Sequence, residues 1–198
     1  MRVQHYDEKF PLIIIDEFYD DENLRRIWEE LEFLCYPEKF ENPEDTGTGV
    51  FQKELYKNIP SIFLGQIFSN LSKSSINEAS RTLSDKLNQI FNQHSSWFFK
   101  DVYYAKMSVL ISYYENGGYY KPHKDSSVVT CLNWFFKEPK VFEGGELYFP
   151  DYDVTVELKN HRTVIFPSFI KHGVKTVRMD KSYENKKLGR FCITQFFS

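Results

Sequence analysis

Residues 107–125 read MSVLISYYENGGYYKPHKD, and the interpretation of the whole chain starts from this stretch. From Met107 to Tyr114 two sets of side chains alternate, which is the period of a β-strand with two different faces. Gly117-Gly118 then predicts a turn, because glycine adopts turn conformations without steric cost. His123 and Asp125 follow two residues apart, so on an extended backbone their side chains point to the same face. The stretch therefore predicts a strand, a turn and a second extended segment that carries two metal-ligating side chains.

His123 and Asp125 could hold one metal ion together, and a third ligand must then come from another strand. His172, at the start of a further predicted strand, is the candidate for that ligand. Two histidines and one carboxylate on one face of an octahedral ion leave three positions open, which is the arrangement of non-haem iron oxygenases. The alternative is also open at this point, since an H-x-D triplet occurs by chance in many proteins and His172 alone would more often be a hydrogen-bonded residue at a strand end.

Short strands are predicted along the rest of the second half, separated by turns such as Gly144-Gly145 and Pro150-Asp151. They are rich in β-branched and aromatic residues, as strands are. The predicted strands after the opening stretch are Val128–Phe136, Glu146–Phe149, Val154–Leu158, Thr163–Phe166, His172–Val177 and Arg190–Phe197.

The first half of the chain predicts one short strand, Pro11–Ile15, followed by helices. The predicted helices cover about Asp21–Cys35, Ile62–Leu71 and Ile76–Phe91, where apolar residues recur at helical spacing. Asp20 can cap the first of these helices, and Ser75 or Asn77 can cap the last. Between them, the polar stretch Glu41–Gly49 predicts a loop that could cover a substrate.

Helices followed by seven or eight short strands predict an α+β protein with a mainly β core. The architecture that fits is a double-stranded β-helix, that is a jelly-roll or cupin-like barrel, backed by N-terminal helices. We expect a single domain over residues 1–198, with helical support in about 1–96 and the catalytic core in about 97–198. The mouth of such a barrel is a place where inward-facing side chains can bind a metal.

Composition excludes several classes of protein. With 41% hydrophobic residues and a formal net charge of -3, the chain has the composition neither of a disordered protein nor of a dedicated nucleic-acid binder. Its three cysteines lie far apart and form no CxxC pair, so a zinc site is not expected. No apolar run approaches the ~20 residues of a membrane span, and the charged N-terminus lacks the apolar core of a signal peptide. We therefore expect a cytoplasmic protein that binds neither nucleic acid nor membranes.

The order of the motifs resembles the prolyl 4-hydroxylase-like branch of the iron(II)- and 2-oxoglutarate-dependent oxygenases. The resemblance covers about Met107–Phe197. Its motifs are, in order, Tyr114-x-x-Gly117-x-x-Tyr120-x-x-His123-x-Asp125, Thr130-Cys-Leu, Glu143-Gly-Gly-Glu-Leu-Tyr-Phe-Pro150, Val164-Ile-Phe-Pro-Ser168 leading to His172, and Gly189-Arg190-Phe-Cys-Ile-Thr194.

The resemblance implies that three residues are iron ligands, namely His123, Asp125 and His172. It also implies that Arg190 binds the distal carboxylate of 2-oxoglutarate, a role that suits the rigid two-donor fork of a guanidinium group. Arg190 lies further from His172 than the corresponding residue of relatives does, so Lys175 and Arg178, which are nearer, stay as rivals.

Three more residues take cofactor-binding roles by resemblance. Tyr114 resembles the strand tyrosine whose hydroxyl reaches the 2-oxoglutarate pocket, and Tyr120 resembles the aromatic residue beside the iron. Thr130 lies on the strand that lines the cosubstrate pocket. Trp134, on the same strand, stands near the position where some relatives place a tyrosine, and an indole can donate a hydrogen bond but cannot accept one.

The implied activity is hydroxylation of an unactivated C–H bond, with a prolyl residue of a peptide or protein as the leading substrate. Iron(II), 2-oxoglutarate and dioxygen are implied as cofactor and cosubstrates, and ascorbate as a supporting reductant. Two alternatives stay open. One is a hydroxylase of a small molecule or free amino acid, and the other is a non-catalytic metal-binding sensor on the same barrel.

Overall fold

The computed structural model describes residues 1–34, 40–45, 50–51 and 54–198. In chain order the strands are β1 Arg2–Tyr6, β2 Leu12–Asp16, β3 Val50–Phe51, β4 Glu54–Leu55, β5 Ser61–Phe63, β6 Met107–Tyr114, β7 Tyr120–His123, β8 Val129–Phe136, β9 Phe142–Glu143, β10 Leu147–Phe149, β11 Val154–Val156, β12 Thr163–Pro167, β13 His172–Val174, β14 Arg178–Met179 and β15 Arg190–Phe197. The α-helices are α1 Asp21–Leu34, α2 Leu64–Ile67, α3 Ser75–Asn92 and α4 Trp97–Asp101, and short 3-10 turns cover Leu71–Lys73, Pro150–Tyr152 and Lys181–Tyr183.

Two antiparallel sheets organise these strands. The larger has seven strands in the order β1-β2-β12-β8-β15-β6-β5, and the smaller has four in the order β11-β10-β13-β7. Two further ribbons, β14-β9 and β3-β4, have two strands each. The predicted mainly β core is confirmed.

The central strands β6, β8 and β15 show why the sheet forms where the sequence predicts it. β15 pairs along its full length with β6 on one side and β8 on the other, with Arg190 opposite Tyr114 at one end of the first ladder. The alternation predicted for β6 is also observed. Val109 and Ile111 pack in one apolar cluster with α1, whereas Tyr114 packs in a different cluster on the other face of the sheet. The face that carries Tyr114 is the face on which the candidate site is built.

The two long helices share apolar clusters with strands of the seven-stranded sheet. Ile27 and Leu31 of α1 share an apolar cluster with Phe135 and Phe191, which lie on β8 and β15. Leu83 and the following apolar residues of α3 join a second cluster with strands β2, β8 and β12. The Oδ1 atom of Asp20 accepts a hydrogen bond from the backbone of Asn23 at 2.8 Å, which confirms the predicted cap of α1.

One helix prediction and one cap prediction are wrong. The segment predicted as helical over Ile62–Leu71 contains strand β5 and only one helical turn, α2. Ile62 and Phe63 pair with β6, and the pairing of a β-branched and an aromatic residue at a sheet edge overrides the apolar spacing. The cap of α3 is Ser74, whose hydroxyl accepts from the backbone of Asn77, rather than Ser75 or Asn77.

The first 96 residues are not simply a helical support. They contribute β1, β2 and β5 to the seven-stranded sheet, so both edge strands of that sheet, β1 and β5, come from the N-terminal part of the chain. Strand β1 was not predicted, because the polarity of its residues alternates only weakly. Its sequence is Arg2-Val-Gln-His-Tyr6. The division into one domain with these two parts stays a prediction, and residues 46–49 of the predicted covering loop, like Cys35, lie outside the described residues.

Within the described ranges, no helix combines the length and the apolar character needed to cross a bilayer. Cys131 and Cys192 are buried free thiols, as predicted for small apolar residues in strands. Burial raises the pKa of the Cys131 thiol, so it stays protonated.

Candidate active site

Strand pairing brings the two predicted histidine ligands together. His123 ends β7 and His172 begins β13, and the two residues are direct partners in the antiparallel pair. Their ring centroids lie 4.5 Å apart. Asp125 follows β7 by two residues, and its backbone N–H donates to the carbonyl oxygen of Ser168 at 3.0 Å. That bond fixes the carboxylate beside the two rings.

Each histidine is oriented by its own backbone neighbourhood. Nδ1 of His123 lies 2.9 Å from the carbonyl oxygen of Lys121, and Nδ1 of His172 lies 2.9 Å from that of Ile170. A carbonyl oxygen can only accept, so both Nδ1 atoms donate to the backbone, and each Nε2 atom is the ring nitrogen that faces Asp125. The outer hydrogen bond thus presents Nε2 to a metal, as second-layer bonds do in metalloproteins.

The three side chains form a compact set of ligand atoms. Nε2 of His123 lies 3.4 Å from Oδ1 of Asp125, and Nε2 of His172 lies 3.4 Å from Oδ2. One ligand atom from each residue lies within 4.8 Å of the others, and no other group of this kind occurs in the described part of the chain. Two imidazoles and one carboxylate are a donor set that suits a divalent iron ion and leaves coordination positions for other ligands.

Asp125 is held as a carboxylate. Its side chain is only 11% exposed, and burial by itself would favour the neutral acid. Hydrogen bonding by His123 and His172 outweighs this effect and holds the pKa of Asp125 well below its usual range. The site is therefore charged and ready to bind a cation at neutral pH.

A row of hydroxyl groups supports Asp125. The hydroxyl of Thr130 donates to Oδ2 of Asp125 at 2.6 Å, because a carboxylate only accepts. A hydroxyl has one proton to donate, so each of the next two hydroxyls must donate to the one before it. Ser168 then donates to Thr130 at 2.8 Å, and Ser127 donates to Ser168 at 2.7 Å. Thr130 thus contacts the candidate metal-ligating acid, and its cofactor-binding role stays a prediction. Ser127 and Ser168 were not predicted as site residues, since isolated serines in a sequence give no signal.

Aromatic rings wall the site. The ring of Tyr120 stacks on His123 with centroids 3.7 Å apart and planes at 17°. The ring of Phe166 meets His172 edge-on at 4.6 Å. These contacts limit the rotation of both imidazoles and exclude water from one side of each. The role of Tyr120 as the aromatic residue beside the iron stays a prediction.

Arg190 is the other unusual residue of the site. It is fully buried at the start of β15, and none of its three side-chain nitrogen atoms has a hydrogen-bond partner among the described residues. Its Cζ atom lies 4.5 Å from the ring centroid of Tyr114 and 5.3 Å from that of Trp134. Aromatic faces stabilise a cation only in part, and a buried guanidinium without an acid is costly. The pocket therefore fits an anionic ligand.

The structure distinguishes Tyr114 from its neighbour Tyr113, and Arg190 from the two rival basic residues. Tyr114 lines the pocket with Arg190, whereas Tyr113 faces the opposite side and accepts from the backbone of Gly189 at 3.0 Å. Burial raises the pKa of Tyr114, so its phenol stays protonated. The rivals Lys175 and Arg178 are exposed and do not line this pocket.

One pocket joins the histidine cluster to Arg190. It is lined by Leu110, Ser112, Tyr114, Tyr120, His123, Asp125, Leu132, Leu147, His172, Val174, Arg190, Cys192, Thr194 and Phe196. A larger cleft of about 570 Å³ lies between β1 and β11. Arg162 in its wall is already paired with Asp16 and Glu157, and the candidate metal-ligand cluster lies elsewhere. The smaller pocket is the one with chemically reactive groups.

Comparison with known proteins gives the same picture. Residues 109–198 match the family model of the 2OG-Fe(II) oxygenase superfamily. A PKHD-type hydroxylase of Synechocystis sp., itself uncharacterised, is 33% identical over 72 residues, which are 33% of this chain and 22% of that protein. The matched part thus spans about a fifth of the length of that relative.

Solved structures share the fold. A prolyl-4-hydroxylase from Pseudomonas putida superposes with a TM-score of 0.62 at 16% identity, covering 94% of this chain and 91% of its own. A prolyl hydroxylase from Trichoplax adhaerens, solved with a peptide fragment of hypoxia inducible factor, gives a TM-score of 0.64 at 16% identity, with 94% and 82% covered. At these identities the likeness concerns the fold alone.

Proposed function

We propose that the chain is a member of the 2OG-Fe(II) oxygenase superfamily, whose family model matches residues 109–198, and that it hydroxylates an unactivated C–H bond of a prolyl residue in a peptide or protein. The family implies iron(II), 2-oxoglutarate and dioxygen as the reactive partners. Ascorbate, expected as a supporting reductant, stays a prediction, as does a cytoplasmic location.

The proposal assigns a role to each group of the pocket. His123, Asp125 and His172 would hold iron(II), with Thr130 orienting the carboxylate of Asp125. Arg190 would bind the distal carboxylate of 2-oxoglutarate, and the phenol of Tyr114 beside it would line the same subsite. When bound, iron and 2-oxoglutarate use dioxygen to convert C–H into C–OH while releasing succinate and carbon dioxide.

One observation supports the proposal above all others. A three-residue ligand set and a fully buried arginine without an acid partner line the same pocket. A metal-binding protein without 2-oxoglutarate has no use for that arginine, and a structural arginine would be expected to pair with a protein carboxylate. The pair of features favours an oxygenase over a metal-binding sensor.

A peptide substrate is supported by analogy. The solved proteins of the same fold include prolyl hydroxylases, and one of them holds a peptide. Fold does not specify substrate, so a free amino acid or another small molecule is the competing candidate.

The proposal also extends to the architecture. We propose that the seven- and four-stranded sheets together form the double-stranded β-helix, with α1 and α3 behind it.

The direct test is turnover by the purified protein. Incubation with iron(II), ascorbate, 2-oxoglutarate and air should release succinate, and a proline-containing peptide from a panel should gain 16 Da by mass spectrometry. The panel includes free L-proline and other small metabolites at concentrations matched to the peptides. Hydroxylation restricted to free L-proline or a metabolite would reject the peptide substrate and leave the oxygenase assignment in place.

Variants connect the activity to the site. His172→Ala should abolish succinate release, whereas the control His5→Gln, a histidine on β1 outside the ligand cluster, should retain it. Absence of succinate from the wild-type protein under all conditions, with iron bound, would reject the oxygenase function and favour the sensor.

A further inference from the structure

A row of aromatic rings lies partly exposed on the surface of the protein. Trp97 on α4 is 72% exposed, and Phe169, in the turn between β12 and β13, is 55% exposed. The ring of Phe98 connects them, with its centroid 6.1 Å from that of Trp97 and 5.7 Å from that of Phe169. The exposed Val128 borders the row, since its carbonyl oxygen accepts from the backbone of Ser168 at 3.0 Å. Single exposed apolar residues are ordinary, but a contiguous group indicates an interaction site, and we call Trp97, Val128 and Phe169 the rim patch.

The rim patch lies beside the candidate metal site. The residue before Phe169 has a backbone carbonyl that accepts from the N–H of Asp125 at 3.0 Å. Strand β15 begins with Arg190 and ends with Phe197, which shares an apolar cluster with Phe98 of the aromatic row. The patch is therefore at the end of this strand that is distant from the buried arginine. A substrate that reaches the metal ligands from that end meets the patch.

Unpaired lysines flank the rim patch. Lys100 follows Trp97 by about one helical turn on α4, and Lys124 and Lys171 each stand next to a candidate metal ligand in the chain. Among the described residues none of the three lysines takes part in an ion pair. Besides the candidate ligand, the segments 97–101, 124–128 and 169–172 contain one acid, Asp101. The whole chain has a formal net charge of -3, so this local excess of lysine is not the general character of its surface.

We propose that the rim patch binds an acidic and apolar segment of the peptide that the protein hydroxylates. The inference rests on the proposed function and gives the peptide a stated chemistry. Apolar side chains of the peptide would pack on Trp97 and Phe169, and its carboxylates would face the three lysines. Exposed aromatic residues that become buried carry much of the binding energy of an interface, and complementary charges around them select the partner. A free amino acid is too small to contact both the metal site and the patch.

The binding test uses the zinc(II)-loaded protein with 2-oxoglutarate and without dioxygen, so that no turnover occurs. The probes are three fluorescein-labelled peptides of equal length, made of Glu-Leu-Pro, Lys-Leu-Pro or Glu-Ser-Pro repeats. By fluorescence anisotropy, we expect the Glu-Leu-Pro peptide to bind at least about 10-fold more tightly than either of the others. Equal affinities for the three peptides, or no binding of any of them, would overturn the inference.

Variants of the patch locate the binding. Trp97→Ala and Phe169→Ala should each weaken binding of the Glu-Leu-Pro peptide about 10-fold or more. The matched control is Phe33→Ala, which removes a ring of 54% exposure from α1 and should leave the affinity unchanged. All three residues are exposed, so the variants should fold and should bind 2-oxoglutarate like the wild type. Lys100→Glu should weaken binding of the Glu-Leu-Pro peptide and strengthen that of the Lys-Leu-Pro peptide, and an equal change for both would contradict the role of charge.

The emission of Trp97 reports the contact directly. The chain has three tryptophans, of which Trp134 is fully buried and Trp28 is partly buried in an apolar cluster. Comparison with Trp97→Phe identifies the share of the emission that acrylamide quenches through Trp97. Unlabelled Glu-Leu-Pro peptide should protect this share from quenching. Unchanged quenching at saturating peptide would show that the peptide lies elsewhere, which overturns the inference.

The outcomes distinguish the inference from the proposed function. If the protein binds 2-oxoglutarate and releases succinate with iron(II), but the peptides or the patch variants do not differ, the inference is wrong and the oxygenase function stands. A wild-type protein that binds zinc but not 2-oxoglutarate would overturn both. Dimers in analytical ultracentrifugation that Phe169→Ala converts to monomers would show that a second copy covers the patch, which also overturns the inference.

Discussion

Two buried arginines in this protein have opposite surroundings. Arg162 donates to both oxygens of Asp16, at 2.8 and 3.0 Å, and also to the backbone carbonyl of Glu157 at 3.0 Å. Arg190 is more deeply buried and has no hydrogen-bond partner among the described residues. Arg162 is paired with a protein carboxylate, and this pair stabilises the fold. Arg190 has no acid partner in the described part of the chain, so it needs an anionic ligand.

The two buried acids differ in the same way. Hydrogen bonds from Arg162, reinforced by Arg2, hold the pKa of Asp16 well below its usual range despite burial. Asp125 has no arginine or lysine partner of this kind among the described residues, and its neighbours are two histidines and a threonine. The two histidines are neutral when they bind a metal, and the threonine carries no charge. Asp125 then has no positive charge beside it, and iron(II) would supply one.

The largest expected effect on the free energy of unfolding comes from breaking the pair of Arg162 and Asp16. Arg162→Met leaves Asp16 buried without its two-point partner, and breaking such a pair costs about 3–5 kcal/mol. We expect that loss in the free energy of unfolding measured by urea denaturation. The control is Arg25→Met, which removes an arginine paired with Glu22 and Glu29 on the surface and should cost less than about 1 kcal/mol. Similar small losses of unfolding free energy in both variants would show that the buried Arg162 pair stabilises the fold no more than a surface pair does.

Lys57 provides an intermediate case between the two arginines. It is fully buried, and its ammonium donates to the hydroxyl of Ser61 at 3.0 Å. Burial lowers its pKa to about 8, with only partial compensation from the charge of Glu41. The unfolded chain therefore binds more protons than the folded one above pH 8, and stability should rise between pH 8 and about pH 10.5, by roughly 2–3 kcal/mol.

The measurement is the free energy of unfolding across that pH range in the wild type and in Lys57→Met. Subtracting the two curves removes the titration of the other lysines and tyrosines. A difference that stays constant with pH would show that Lys57 has an ordinary pKa and that its burial carries no electrostatic cost.

A smaller effect should follow from loosening Asp125. Thr130→Val keeps the shape of the side chain but removes the donor at 2.6 Å from Oδ2. Loss of such an orienting bond typically weakens metal affinity about 10- to 100-fold, which competition with a metal chelator can measure. Ser127→Ala, two hydroxyls further from the carboxylate, should have a weaker effect in the same assay. An equal or larger effect of Ser127→Ala would contradict the proposed direction of the hydroxyl row.

The sequence allowed the metal-ligand set to be predicted because its geometry is local. The two-residue spacing implies a shared face for His123 and Asp125 before any tertiary contact is known. His172 was only a candidate from another strand, and its place opposite His123 depends on the pairing of β13 with β7. The same holds for β6 and β15, whose alternation and length appear directly in the residues. The edge strands β1 and β5 could not be predicted, since their residues take strand conformation only through pairing with β2 and β6.

The contrast between the two arginines was also hidden in the sequence. Arg162 lies in a polar turn, Lys159-Asn-His-Arg162, with no sign that Asp16 lies beside it, 146 residues earlier. Arg190 was predicted as a carboxylate partner by resemblance alone, whereas its lack of a protein partner is a property of the folded structure. The donation by Thr130 to Asp125 likewise depends on the turn between β7 and β8, which the strand pattern does not specify.

The measurement that tests this account most directly is the stability of Arg190→Met with and without 2-oxoglutarate, in the zinc-loaded protein. Without the ligand we expect no loss relative to the wild type, within about 1 kcal/mol, because methionine removes an unpaired buried charge. With 2-oxoglutarate at a hundred times its wild-type dissociation constant, the wild type should gain about 2.7 kcal/mol and the variant almost nothing. A variant that loses several kcal/mol without ligand, yet still gains stability on adding 2-oxoglutarate, would show that Arg190 is a structural residue like Arg162.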